Sequence, residues 1–225
     1  MPAAQVQRKR RARGHLSRDA ILAAALELFD QDGEGGLTMR RLAERLDADP
    51  MSLYNHFDGK ESLLDGLVGA LWAELDVGDG DWRDVLTALA AGIRRLAHDH
   101  PQAFRLVFGR GMLPLQALSP LATALSALER AGLDRRAAAE ILRTLVAYAG
   151  GWATLELSCA CGVDPGASEV EQVVAVTRAL PAATPTNLLE VARLVACCDM
   201  DQQFELGLNL ILDGLASRLA GPSGR

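Results

Sequence analysis

Aromatic residues are scarce in this chain. Phe, Tyr and Trp make up only 4% of its 225 residues, although 49% of the residues are hydrophobic. The core must therefore be built mainly from Leu, Ala and Val, a composition that suits packed helices. From residue 81 onward the apolar residues recur at helical spacing, without the alternation typical of strands. We predict an all-α fold of one large domain or two small ones.

Long apolar runs are also missing. No uninterrupted stretch is long enough to cross a bilayer, and no apolar core of a secretory signal follows the basic N-terminus. We therefore expect a cytoplasmic protein with reduced thiols. Cys159, Cys161, Cys197 and Cys198 could converge on a metal or redox site, but their spacing is not that of a zinc site. Since free cysteine is commonly a small buried hydrophobe, we predict neither a bound metal nor a cofactor.

Catalytic motifs are absent from the sequence as well. It contains no nucleophile elbow, phosphate-binding loop or cluster of metal ligands. Among its histidines, His98 and His100 flank Asp99 at the end of a predicted helix. The simplest interpretation is that they are exposed residues favourable to the helix dipole. We therefore expect that the protein is not an enzyme.

Residues 38–60 carry the most information about function, because they predict two short helices joined by a tight turn. Thr38 is a good N-cap for the first helix, and apolar residues recur at helical spacing after it. Asp49 can cap the second helix, and Pro50 fits its first position, where a backbone N–H would have no helical partner. Two helices joined in this way form a helix-turn-helix, whose second helix can lie in a DNA major groove.

The second helix is expected to present a polar face. Leu53 and Phe57 are four residues apart and should face inward. Ser and Asn can exchange hydrogen bonds with base edges, while Tyr, His and Lys can hold phosphates. A helical hairpin with a merely hydrated face is the alternative, and spacing alone does not exclude it. The side chains expected to face outward are Met51, Ser52, Tyr54, Asn55 and His56.

Residues 17–70 resemble the DNA-binding domain of the TetR family of transcriptional repressors. The matching segments are AILAAALELFDQDG, LTMRRLAERL, SLYNHF and GKESLLDGL, in that order. Asp47 stands where the family usually has Gly, but Asp tolerates the left-handed conformation better than most residues. The resemblance implies that Tyr54, His56 and Lys60 contact the DNA backbone. It also implies that Arg40, in the preceding helix, can reach the DNA. The predicted DNA-contacting residues are Thr38, Arg40, Met51, Ser52, Tyr54, Asn55, His56 and Lys60.

The net charge of −6 argues against general attraction to nucleic acid, but the charge is unevenly distributed. Residues 1–18 carry six basic side chains and no acidic one. We interpret residues 1–15 as a disordered basic arm that could contact phosphates or enter the minor groove. A solvated charge run that only improves solubility is the alternative.

The domain boundary is expected at residues 77–80, between a DNA-binding domain at 16–76 and a regulatory domain at 81–220. Within the first domain, Ser17 can cap a helix that ends near Gly33. Asp58 and Glu61 predict a capping box for the helix that runs from Lys60 to about residue 75.

The C-terminal segment DQQFELGLNLILDGL resembles the regulatory domain of the tetracycline-repressor branch of the family. This resemblance implies a homodimer formed through the helices at about 135–158 and 200–219. The alternative is that both helices only face the core of the monomer. Pairing has an independent rationale, because two recognition helices can read two half-sites about 34–36 Å apart.

The remaining helices would enclose a pocket for a small-molecule effector. The tetracycline–magnesium site of the best-known members of this branch does not carry over. The positions of its metal-binding histidine and of its other pocket histidine fall near Phe104 and Arg105 and near Glu74 and Leu75, respectively. A different and more apolar effector is therefore expected. The predicted wall residues are Leu67, Leu71, Trp82, Leu86, Phe104, Val107, Phe108, Met112, Leu113, Trp152 and Leu155.

The function implied is that of a ligand-responsive DNA-binding transcriptional regulator, with repression as the family's default. A homodimer would bind a palindromic operator. An effector that prefers the dimer with the wrong separation of recognition helices would release the DNA.

Overall fold

The computed structural model describes residues 16–109, 118–159, 183–196 and 199–221, together with 171, 174, 177, 178, 180 and 181. Every regular element in these residues is a helix and none is a strand, which confirms the predicted all-α fold. The ten helices described are, in chain order, α1 (Arg18–Gly36), α2 (Met39–Arg45), α3 (Pro50–Tyr54), α4 (Lys60–Ala73), α5 (Trp82–Asp99), α6 (Pro101–Gly109), α7 (Leu118–Arg130), α8 (Arg135–Cys159), α9 (Thr186–Ala196) and α10 (Met200–Leu219).

Side-chain caps begin the first three helices, as predicted. Ser17, Thr38 and Asp49 each accept a hydrogen bond from a backbone N–H in the turn that follows, at 3.1, 3.2 and 2.8 Å. Each cap satisfies a donor that the helix itself leaves unpaired, a contribution of about 0.5–2 kcal/mol. The sequence therefore fixes the starts of the elements that form the helix-turn-helix.

Glycines with positive φ mark the end of one helix and the start of another in the same region. Gly33 has φ 65° and ψ −166°, so the regular part of α1 ends there, as predicted. The capping box predicted from Asp58 and Glu61 is wrong. The N-cap of α4 is Gly59, whose φ of 136° suits glycine, and within the described residues no side chain caps this helix.

The chain packs as two units. The N-terminal unit runs to Glu74 and also includes His100–Ser119, while the C-terminal unit comprises Leu75–Asp99 and the chain from Pro120 onward. Helix α6 therefore returns to the N-terminal unit, where it packs against α1 and α4. The boundary predicted at residues 77–80 did not anticipate this return, because α6 is distant in sequence from the helices that it contacts.

The core of the N-terminal unit is formed where α1 packs against α2, α4 and α6. The approach of α4 depends on Gly66, since an added Cβ would lie 2.8 Å from the Phe57 ring and 3.0 Å from Leu22. The buried side chains of this core include Ile21, Leu28, Phe29, Leu42, Leu53, Phe57, Leu63 and Leu64.

The two histidines at the α5–α6 junction do not behave as simple exposed residues. His100 is half-buried, and its Nδ1 lies 2.6 Å from Oδ2 of Asp30 in α1. His98 is exposed, but its Nε2 lies 3.1 Å from Glu156 in the C-terminal unit. The expectation of exposed side chains is therefore confirmed for His98 and wrong for His100, and both histidines also lie beside carboxylates that are distant in sequence.

A buried ion pair lies at the centre of the C-terminal unit, where α5 packs along α8 and α10 contacts both. Glu156 is only 8% exposed and accepts from Nε of Arg94, at 2.9 Å to each carboxylate oxygen. The same carboxylate accepts from the indole N–H of Trp152 at 3.1 Å. Arg94 also pairs with Asp201 and lies 4.9 Å from the centre of the Phe204 ring. Three helices are thus joined by one charged cluster.

Tyr148 makes a second link between α8 and α10. Its hydroxyl donates to the carbonyl oxygen of Phe204 at 2.7 Å, and its ring stacks on the Phe204 ring at 5.7 Å. Burial raises the pKa of this hydroxyl. The contact requires Gly207, because an added Cβ there would lie 2.3 Å from the hydroxyl oxygen.

We predict that Glu156→Gln lowers the free energy of unfolding by about 2 kcal/mol, because the half-buried Arg94 keeps its charge and loses its main partner, with only the exposed Asp201 left to pair with it. Urea denaturation at one fixed protein concentration measures the effect. The matched control is Glu140→Gln on the same helix, which removes a surface pair with Arg136 and should change stability by less than about 0.5 kcal/mol. Equal effects of the two substitutions would show that burial of the pair is unimportant.

Candidate nucleic-acid interface

The turn between α2 and α3 has the left-handed residue that the sequence suggested. Asp47 has φ 48° and is the only residue other than glycine with a positive φ in the part of the chain that the structure describes. The N–H of Ala48 donates to the carbonyl oxygen of Ala43 at 3.0 Å and closes the turn. A side chain in this conformation costs about 1–2 kcal/mol, which the surrounding helix contacts must offset.

Helix α3 is short and is anchored through its apolar residues. It contains five residues. Leu53 is fully buried and Phe57 is 1% exposed, as the spacing predicted. The backbone N–H groups of His56 and Phe57 both donate to the carbonyl oxygen of Leu53 at 3.0 Å, which continues the turn beyond the last helical residue.

The opposite side of α3 is open to solvent. Met51 is 70% exposed and Tyr54 is 46% exposed. Asn55 is exposed, whereas Ser52 and His56 are half-buried. The five side chains predicted to face outward therefore differ in access, with Met51, Tyr54 and Asn55 the most available to a partner.

Two further residues predicted to contact DNA, Thr38 and Arg40, lie at the start of α2. The side chain of Arg40 is 85% exposed and its Nε lies 3.0 Å from Glu44, one turn further along α2. Such surface pairs contribute little to stability, so this arginine can exchange its partner for a phosphate. The hydroxyl oxygen of Thr38 accepts from the backbone as a cap, but its proton remains available for donation.

Lys60 lies at the start of α4 and is held by the end of α1. Its Nζ donates to the carbonyl oxygen of Glu34 at 2.7 Å and lies 4.0 Å from the Glu34 carboxylate. A cation at a helix N-terminus, beside free backbone N–H groups, is a suitable phosphate site. The neighbouring carboxylate opposes an incoming phosphate, since like charges about 4 Å apart repel by about 1 kcal/mol even in water.

Three arginines that the sequence did not assign individually hold this unit together. Arg41 donates to the carbonyl oxygen of Gly36 at 2.8 Å and pairs with Asp32 at 2.5 Å. Arg45 pairs with Glu27 of α1. Arg18, which was counted among the basic residues of segment 1–18, contacts His56 and Phe57, which follow α3. No local pattern reveals these roles, because each partner lies on a different element.

The predicted effector-wall residues fall into both packing units. In the N-terminal unit four of them are buried and Phe108 is half-buried. In the C-terminal unit Leu86 is buried, Trp82 and Trp152 are half-buried, and Leu155 is 47% exposed. Met112 and Leu113 lie outside the described residues. Contact with a ligand remains a prediction for all of them. The four buried members of the N-terminal unit are Leu67, Leu71, Phe104 and Val107.

An aromatic cluster lies within the N-terminal unit and includes one residue that the sequence analysis missed. The rings of Phe104 and Phe108 are 4.5 Å apart, and the Trp72 ring lies 6.3 Å from Phe108. Trp72 is 2% exposed, and within the described structure its indole N–H has no hydrogen-bond partner. A Trp within the apolar stripe of α4 could have been flagged, because a buried indole N–H normally finds an acceptor.

A separate open cavity of about 350 Å³ lies between α1 and α6. Its lining is mixed in character, and none of the predicted wall residues contributes to it. The lining residues are Phe29, Glu34, Gln102, Arg105, Leu106 and Gly109.

Neither a metal site nor a membrane span is found among the described residues. No three His, Cys, Asp or Glu side chains in this part of the chain converge in a way that could hold a metal ion. None of the helices described is both long enough and apolar enough to span a bilayer. A redox or metal role was considered for the four cysteines, but their side chains lie outside the part of the chain that the structure describes.

The geometry defines the N-terminal unit as a helix-turn-helix of the DNA-binding type. Two family models match the chain, and they divide it between them. Residues 21–67 match "Bacterial regulatory proteins, tetR family", and residues 76–219 match "Tetracyclin repressor-like, C-terminal domain". The second match alone covers more than half of the sequence. The chain belongs to the TetR family of bacterial transcriptional regulators.

Curated relatives carry the same family features. The tetracycline repressor protein class C of Escherichia coli is 32% identical over 205 residues, which are 89% of this chain and 90% of the relative. An HTH-type transcriptional regulator of Saccharopolyspora erythraea is 39% identical over 132 residues, 57% of this chain. The repressor DrrR1 of Streptomyces coeruleorubidus is 33% identical over 122 residues, 52% of this chain. The chain spans about half the length of these last two relatives, 56% and 45%.

Solved structures of family members match more than nine-tenths of the chain. ActR of Streptomyces coelicolor, determined in complex with actinorhodin, has a TM-score of 0.76 and 27% identity, covering 94% of this chain and 100% of that one. A TetR variant of Acinetobacter baumannii, determined in complex with minocycline, has a TM-score of 0.70 and 26% identity, covering 93% and 98%.

We predict that Glu34→Gln raises the affinity for an operator duplex about twofold to fivefold at 0.1 M salt, because it removes the carboxylate beside Lys60. The hydrogen bond from Lys60 to the backbone is kept. The gain should shrink at higher salt, where the charge is screened. Fluorescence anisotropy of a labelled duplex measures it.

Glu190→Gln is the matched control, since it removes one exposed negative charge from α9 and should leave the affinity unchanged. A fall in affinity for Glu34→Gln would show instead that Glu34 helps to place Lys60 on the DNA.

Proposed function

We propose that this protein is a cytoplasmic repressor that binds a palindromic operator as a homodimer and is released by a small-molecule effector. The observation that carries the proposal is the exposed polar face of α3, supported from behind by the buried Leu53 and Phe57. Relatives named as repressors support the direction of regulation.

The residues around α3 have distinct roles in this proposal. Ser52 and Asn55 exchange hydrogen bonds with base edges, and Met51 offers apolar surface to a thymine methyl group. Phosphate contacts fix the register of the helix on the duplex but carry no sequence information. They are made by Thr38, Arg40, Tyr54, His56 and Lys60.

A second copy of the chain is the proposed partner of an open apolar face on α8 and α10. Leu206 and Leu210 lie one turn apart on α10 and are 54% and 67% exposed. Gly214 follows one turn later, and Leu155 and Gly151 give α8 a similar surface. A Cβ added at either glycine would meet no other atom of the described residues within 4 Å. Small residues beside leucines allow a second pair of helices to approach closely. The resemblance to the tetracycline-repressor branch supports a four-helix interface.

The effector is proposed to be largely apolar and to carry a hydrogen-bond acceptor. Related structures determined with actinorhodin and with minocycline support a small-molecule ligand. Phe104 and Phe108 offer aromatic surface. The indole N–H of Trp72, which has no acceptor among the residues that the structure describes, offers a donor whose burial without an acceptor costs about 1–3 kcal/mol.

Release of DNA then follows from linkage. The operator binds only the dimer in which the separation of the two recognition helices matches that of the two half-sites. An effector that binds better to another arrangement moves the population away from DNA, and only as far as its differential affinity allows. Helix α4 is the proposed lever, since it begins at Lys60 and carries Leu67, Leu71 and Trp72.

Selection of bound duplexes from a random pool tests the DNA-binding part of the proposal. We expect a palindrome, which Tyr54→Ala and Asn55→Ala should affect differently. Tyr54→Ala should weaken binding to the palindrome and to random duplexes about equally. Asn55→Ala should relax the preference at one base position per half-site by about 1–3 kcal/mol. Recovery of no preferred sequence would refute the proposed role of α3.

The subunit interface is tested by Leu210→Glu, which places a charge on the open face. Light scattering after size exclusion should give a mass near twice 24.0 kDa for the native chain and a large fraction of monomer for the variant. Leu118→Glu is the control, because it adds the same charge at another exposed leucine, on α7. A monomeric native chain, or equal dissociation by both variants, would contradict the interface.

A further inference from the structure

Arg18 is the first residue of α1, and its side chain is directed at the segment that follows the recognition helix. Its guanidinium carbon lies 4.1 Å from the centre of the Phe57 ring. Its Nη1 also donates to the carbonyl oxygen of His56 at 2.8 Å. One side chain therefore contacts the two consecutive residues that follow Asn55, the C-cap of α3.

This contact matters because α3 cannot hold its own position. A helix of five residues is far too short to be stable alone, and its last carbonyl groups have no partner within the helix. Leu53 and Phe57 bury the apolar side of this segment. Two contacts on one side still allow α3 to rotate about the line that joins the two side chains. The hydrogen bond from Arg18 to the His56 carbonyl adds a third, directional constraint.

The chemistry at this point favours arginine over lysine. A planar guanidinium can stack on an aromatic ring and donate a directed hydrogen bond at the same time, whereas an ammonium group offers a compact point charge. A cation near the C-terminal end of a helix also interacts favourably with the helix dipole. Phe57 in turn is fixed by its close approach to Gly66 of α4.

We propose that Arg18 is a positioning residue for DNA recognition: it sets the tilt of α3, and with it the aim of Met51, Ser52 and Asn55, instead of neutralising a phosphate. The residue lies at the end of the basic segment 1–18, where a phosphate contact would be the obvious assignment. This inference rests on the proposed contact between α3 and base edges.

Arg18→Lys is the decisive variant, because it keeps the charge and loses the combined stack and hydrogen bond. Its affinity is measured for the duplex that the native protein selects and for a random duplex, across a salt series. We expect about a tenfold loss on the selected duplex, the scale of one misplaced base contact. Affinity for the random duplex should stay within about twofold, and the salt slope should not change.

A phosphate contact would give a different pattern, and Arg40→Ala is included to display it. Loss of one phosphate contact lowers specific and random binding together and reduces the salt slope by about 1. If Arg18→Ala behaves like Arg40→Ala and Arg18→Lys binds normally, the proposal is overturned. Absence of any selected duplex for the native protein would refute the proposed function itself, a separate outcome.

A double-mutant cycle of Arg18→Lys and Phe57→Leu distinguishes a positioning role from a purely structural one. Stoichiometric titration measures the active fraction of each protein, so that losses of folded protein are not counted as losses of affinity. If Arg18 acts through Phe57, Arg18→Lys should reduce specific binding less than threefold in the Phe57→Leu background. Hydrogen exchange of residues 50–57 should be faster in Arg18→Lys than in the native chain. Additive losses, or a lower thermal midpoint with unchanged specificity, would overturn the proposal.

Discussion

The burial of Leu53 and Phe57 is the interaction on which the rest of this structure depends. Five residues of helix cannot hold a shape in water, so their conformation is imposed by contacts outside the helix. The Asp49 cap begins the helix, α2 packs against it, and the Phe57 ring lies close to Gly66 of α4. Gly66 permits the approach of Phe57 by lacking a side chain. A polar face of α3 can therefore remain open to a partner at little risk to the fold.

In the N-terminal unit, some basic side chains are paired with carboxylates of other helices, while others remain accessible to a DNA phosphate. Arg41 and Arg45 pair with carboxylates of α1, whereas Arg40 pairs only within α2 and has the most exposed side chain of the three. Lys60 is intermediate, because it is held by a backbone carbonyl and lies beside a carboxylate. Local pairing of this kind explains how a chain with a net charge of −6 keeps a surface suited to DNA.

The features predicted most accurately from the sequence are those that depend only on residues close together in the chain. The caps at Ser17, Thr38 and Asp49, the break at Gly33 and the strained turn at Asp47 each follow from the chemistry of one or two positions. The capping box at Asp58 was wrong because Gly59 competes for the same role through its backbone freedom. The return of α6 to the N-terminal unit, the contact of Arg18 with His56 and the Arg94–Glu156 pair could not be predicted, since they join residues that lie far apart in the sequence, by 38 positions for Arg18 and by 62 for Arg94.

The central claim is that the face of α3 meets base edges in the major groove, twice per dimer. Protection of guanine N7 atoms from dimethyl sulfate tests it most directly, because these atoms are exposed only in that groove. In the duplex that the protein selects, the account predicts two symmetric clusters of protected guanines about 10–10.5 base pairs apart. A single cluster, or reactivity identical to that of free DNA despite saturated binding, would contradict it.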